Sequence, residues 1–176
     1  MQNNPITNAI EGQLIHTFGE YLNDFFHTTH FTHWRKGVLN TLCKYGHQLG
    51  CQVFTSKALC PQAEGEEWIY DLHWRAANES SRLVRLPLVM QMEDFQDQNP
   101  FFHAIITQSV LKLAHARADT RLLVLGCRDT QRTLDHIYNT LEQFEHYQAG
   151  DRYVFALWDF NINPHANKMQ VFLHHR

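Results

Sequence analysis

The chain has 176 residues, 44% of them hydrophobic, with a formal charge of -3 and a pI near 6.5. That length suits one domain, residues 1–176, with a substantial core, and the weakly acidic balance argues against a surface built for broad nucleic-acid binding, leaving only a local basic patch open. No apolar run approaches the roughly 20 residues that span a bilayer, residues 1–5 lack the basic and apolar regions of a secretory signal, and no two of the four cysteines form a Cys-x-x-Cys pair. The expectation is a soluble, cytoplasmic protein with reduced thiols and no membrane partner.

Apolar residues at Ile10, Leu14, Phe18, Leu22 and Phe25 recur at helical spacing and predict a first helix over residues 6–27. Thr32 is placed to cap a second helix carrying Trp34, Val38, Leu42, Tyr45 and Leu49, with Gly50 at its end. A short strand follows at 51–54. Residues 66–76 and 82–93 predict an antiparallel hairpin around Asn78-Glu79-Ser80-Ser81. Asn99-Pro100 opens a helix over 100–118 that buries Phe102, Ile105, Ile106, Val110 and Leu113. Residues 121–127 are continuously apolar, the pattern of a strand covered on both faces. A helix at 130–148 and strands at 152–160 and 168–174, joined by residues 161–167, complete the chain. The order ααβββαβαββ defines an α/β domain with a mixed sheet. Its strand 82–93, helix and strand 121–127 form a β-α-β unit, so those two strands should run parallel.

Two segments carry the chemistry. In Glu67-Trp68-Ile69-Tyr70-Asp71-Leu72-His73-Trp74 a carboxylate stands among aromatics, where an ionised group is costly unless it is paired. In Leu88-Val89-Met90-Gln91-Met92-Glu93 a Gln-x-Glu closes an apolar run, and residues 91 and 93 share one strand face. Carboxylates from two adjacent strands could hold a hard cation such as Mg²⁺. The other reading of Asp71 is an ion pair with Arg82 or Arg85 across the hairpin; Glu93, followed by Asp94, also reads as a solvated strand end.

This β-β-β-α-β core after a leading helix, with its acidic residues on the second and third strands, resembles the PD-(D/E)xK, or restriction-endonuclease-like, nuclease superfamily. Within it the chain is similar to small bacterial proteins with Glu-Trp-(Leu/Ile)-Tyr-Asp-x-x-Trp followed by Leu-x-(Leu/Met)-Glu-x-Glu. The helix-to-strand junction Ala116-Arg117-Ala118-Asp119-Thr120-Arg121-Leu122-Leu123 extends the likeness. The resemblance implies a Mg²⁺- or Mn²⁺-dependent hydrolase acting on DNA or RNA, with Asp71 and Glu93 as metal ligands. Gln91 stands where the family has a carboxylate, and Lys112, beside Gln108 on the helix, would orient the attacking water. The departures are the Gln91 substitution, the absence of a lysine at 93 or 95, and a helix motif reduced to Lys112-Leu113. The site reads as eroded, with weak activity or none. The alternative is a non-catalytic interaction or assembly module reusing the fold.

Other residues read more plainly. His27, His30 and His33 span a helix break, which argues against a shared zinc face. His73 falls on the strand face of Asp71, open to a metal-supporting role. Trp68, Tyr70 and Trp74 read as one packed aromatic face rather than a base-stacking platform. Cys127 reads as a small core residue. Twenty-two aromatic residues, counting Trp, Tyr and Phe, are generous for this length and suggest aromatic surface for a protein partner or homodimer. No phosphate-binding glycine loop, nucleophile elbow or His-Glu-x-x-His is present.

Overall fold

A computed structural model describes residues 5–21, 31–66, 69–77, 82–93, 100–145, 148–159 and 169–176. In chain order the elements are α1 (Pro5–His16) with a π-helical turn (Thr17–Tyr21), α2 (Phe31–Gln48), β1 (Gln52–Thr55), β2 (Leu72–Ala77), β3 (Leu83–Glu93), α3 (Phe102–His115), β4 (Ala118–Cys127), α4 (Thr130–Glu142), β5 (Arg152–Asp159) and β6 (Gln170–His175). The six strands form one mixed sheet in sequential order. β1, β2 and β3 are successive antiparallel neighbours, β3, β4 and β5 run parallel, and β6 returns antiparallel to β5.

Period-2 alternation divides the sheet's side chains between two helical layers. Leu72, Trp74, Leu88, Met90, Met92, Leu122, Val124, Val154 and Ala156 meet Ile10, Leu14 and Phe18 of the α1 region and Trp34, Val38, Leu39 and Leu42 of α2. Val89, Leu123, Leu125, Phe155 and Leu157 meet Phe102, Ile106, Val110 and Leu113 of α3 and Leu134, Ile137 and Leu141 of α4. β4 and β5 are covered on both faces, which explains their unbroken apolar runs.

Pro87 sits in a strand with neighbours on both sides, a position proline normally avoids because it has no N–H. The register resolves the conflict. Trp74 pairs with Leu88 but Ala76 with Arg85, so Leu86 and Pro87 together face the single residue Arg75. The proline lies in a bulge, where no ladder donor is required. Gly50 closes α2 at φ 72, while Cys51 N–H reaches Gly46 O at 2.8 Å and Gly50 N–H reaches His47 O at 2.9 Å, the pairing of a glycine-terminated helix end.

Several sequence expectations shift. The second strand begins at Leu72, so 69–71 form a bend that delivers Asp71 to the strand edge. The helix expected at 100–118 ends at His115 because β4 already starts at Ala118, and the one expected at 130–148 ends at Glu142. Regular α-helix in the first segment stops at His16. α2 starts at Phe31, which puts Thr32 inside it, and Leu49 is exposed beyond its end. Trp74 and Tyr70 belong to opposite layers, so they are not one aromatic face. Leu22, Phe25, His27, His30, Glu67, Trp68, the 78–81 turn, Asp94, Asn99 and residues 161–167 lie outside the described residues.

Candidate functional site

Asp71 lies one residue before β2. Its main chain is held on both sides: its N–H donates to Met90 O at 3.0 Å, and its carbonyl accepts from Thr55 Oγ1 at 2.6 Å. Its carboxylate is equally committed. Oδ2 accepts the Met92 N–H at 2.7 Å, a strand amide that β2, starting at Leu72, does not reach with a carbonyl of its own. Oδ1 accepts from Arg35 Nη2 at 2.5 Å. The side chains are 25% and 18% exposed, so the pair is only partly screened by water. The expected partners were Arg82 or Arg85. Arg85 instead pairs with Asp119 at 3.2 Å, and the cation beside Asp71 comes from α2.

Gln91 is 3% exposed, and its Nε2 donates to Ile69 O at 3.1 Å. It ties the bend before β2 to β3, a task that uses the amide's donor and that a carboxylate could not perform. Glu93, at the carboxyl end of β3, turns toward α3, where Ser109 Oγ donates to its Oε1. The helix residue that reaches the strand carboxylate is therefore buried Ser109, whereas Gln108 and Lys112 are exposed. Asp71 is thus tied to α2 on one side of the sheet and Glu93 to α3 on the other. Arg35 and Ser109 are the site residues that sequence reasoning missed. Ser109 precedes Lys112 by one helical turn, the only sequence signal that could have marked it.

His73 is 3% exposed and stacks on Phe54, with ring centroids 5.1 Å apart. Arg75 lies 3.7 Å over the other partner in this stack, Phe54, and its Nε donates to His73 Nε2 at 3.0 Å. An imidazole that accepts there is neutral. Burial, then the Arg75 charge, push its pKa down to about 4. Its ring is engaged by Phe54 and Arg75 rather than by Asp71. At the carboxyl ends of β4 and β5, Cys127 Sγ lies 3.8 Å from Thr130 Oγ1, which donates to Asp159 Oδ2 at 3.3 Å. Burial pushes the Cys127 thiol up to about 11, so it is an inert core thiol as expected.

The residues present do not fit a divalent cation as they stand. Asp71 is paired with Arg35 of α2, Gln91 is held through its Nε2, and Glu93 is bonded to Ser109 of α3. Among the described residues no three His, Cys, Asp or Glu side chains gather as a metal-holding group. No described helix is long and apolar enough to cross a membrane. What fold and site define together is an α/β protein with a six-stranded mixed sheet, two helices on each face, and an Arg–Asp pair at the start of β2 in its antiparallel part. No protein-family model, curated protein or solved structure matches the chain.

Proposed function

We propose that this chain is a non-catalytic interaction or assembly module built on a PD-(D/E)xK-like nuclease fold. One observation carries the reading: the Asp71 carboxylate, the residue that the resemblance makes a metal ligand, is paired with the Arg35 guanidinium and also accepts the Met92 amide. A guanidinium fixed at 2.5 Å supplies inside the fold the positive charge that a nuclease takes from a bound ion. The antiparallel β1-β2-β3 unit with parallel β4 agrees with the core order of that superfamily and supports the ancestry. Exposed Leu83 and Val84, adjacent near the start of β3, supply apolar surface for a protein partner.

The test is calorimetric titration of the protein and of Asp71→Asn with Mg²⁺ and Mn²⁺, run beside a cleavage assay on single- and double-stranded DNA and RNA. The expected result is no cation binding that depends on Asp71 and no metal-dependent cleavage. Millimolar or tighter binding abolished by Asp71→Asn, or cleavage lost with that substitution, would restore the nuclease reading.

A further inference from the structure

At the end of the parallel strands opposite Glu93, a cleft of about 310 Å³ opens where α3 ends and β4 and β5 begin. Its polar and aromatic lining comes from His115, Arg117, Arg121, Phe144, Gln148 and Asp151. Arg121 is only 5% exposed, an unusual location for a charge. Its Nε donates to Leu113 O at 3.0 Å and its Nη2 to Ala116 O at 2.7 Å, Nη2 pairs with Asp151 Oδ1 at 2.9 Å, and the guanidinium carbon lies 5.2 Å from the Tyr153 ring centroid. The two carbonyl bonds use Nε and one hydrogen of Nη2. Nη1 makes no hydrogen bond to a described residue, yet it is not among the polar atoms sealed from solvent. Arg121 lines the cleft.

The charges around the cleft define what it can hold. Asp151 neutralises Arg121, and its other oxygen accepts the Gln148 N–H at 3.1 Å. Arg117, exposed at the rim, brings the local sum to one positive charge. The carboxyl end of α3 and Asp151 both oppose a second negative charge on an occupant. Phe144, with the His115 ring tilted beside it at 4.7 Å, supplies an aromatic wall. We infer that this cleft binds a small monocarboxylate with a flat apolar body, one oxygen on Arg121 Nη1, the other within reach of Arg117, and the body against Phe144. The inference is independent of the nuclease-fold reading, since it uses none of Arg35, Asp71, Gln91 or Glu93.

The test uses benzoate as probe against the full chain, followed by calorimetry and by ring-proton shifts. The expected result is saturable binding in the millimolar range. Neutral benzamide should bind about tenfold more weakly, as should benzoate to Arg117→Gln, a substitution at an exposed position that leaves the Arg121 bonds intact. Absence of saturable benzoate binding up to about 20 mM would overturn the inference. So would equal affinity for benzamide, unchanged affinity in Arg117→Gln, or tighter binding of inorganic phosphate than of benzoate.

Discussion

Arg35 in α2 and Asp71 before β2, 36 residues apart in sequence, meet at 2.5 Å. The contact joins the helical layer to the start of β2, between β1 and β3, and the same carboxylate holds the Met92 amide. Removing Arg35 leaves a partly buried carboxylate without its cation. Arg35→Ala should therefore cost about 1–3 kcal/mol in urea unfolding, Asp71→Asn a similar amount, and the double mutant less than their sum. Strictly additive losses would show that the pair is not coupled.

Gln91→Glu distinguishes a latent metal centre from a structural amide. The substitution removes the donor to Ile69 O and places a carboxylate against that carbonyl at a site only 3% exposed. The melting temperature should fall, by an amount corresponding to about 1–3 kcal/mol, and Mg²⁺ should not restore it. Rescue by Mg²⁺ in a melting curve would point to a cation site formed by residues 71, 91 and 93.

Acid should destabilise the fold through its buried histidines. His73, with a folded pKa of about 4 against about 6.5 in the unfolded chain, binds its proton more readily when unfolded. The stability present at neutral pH is therefore lost as pH falls from about 6.5 toward 4, by up to roughly 3 kcal/mol from this residue. His103 and His174, both lowered first by burial, act in the same direction. Urea unfolding at a series of pH values should show this slope, and His73→Leu should flatten it; an unchanged slope in the variant would exclude His73 as its source.

Gly46 permits the closest approach of α2 to the sheet. A Cβ there would lie 2.8 Å from Trp74 Nε1 and closer still to Val53 Cγ2. Gly46→Ala gains up to about 1 kcal/mol of helix propensity but overpacks a region where Val53 and Trp74 are wholly enclosed. A net loss of about 1–2 kcal/mol is expected in thermal unfolding; a raised melting temperature would show that the helix can shift outward.

The central β3-α3-β4-α4-β5 path was legible because burial on both faces writes continuous apolar runs for strands and 3.6-residue stripes for helices. The same rule misled at 69–71, where Ile69 and Tyr70 resembled strand but form the bend that carries Asp71. The Arg35 pairing was not legible. An arginine on the polar side of a helix looks the same whether it faces water or a carboxylate brought near by folding. Lys112 drew attention as the only lysine near the expected centre, yet the contact to Glu93 fell to Ser109, whose short side chain suits the buried face of α3.

Glu11 in α1 accepts from Arg152 Nε at 2.8 Å and Nη2 at 2.5 Å, and from His175 Nε2 at 2.9 Å. Burial would raise its pKa, but the bonds to Arg152 and His175 outweigh that effect and hold it below the usual carboxylate value. During synthesis, α1 leaves the ribosome about 140 residues before the partner that neutralises this carboxylate exists, and about 160 before the second. Until then Ile10, Leu14 and Phe18 have no β5 or β6 to complete their side of the core. Within this chain α1 is thus made before every strand it packs against and is among the last elements to settle, its apolar stripe waiting on contacts that form late.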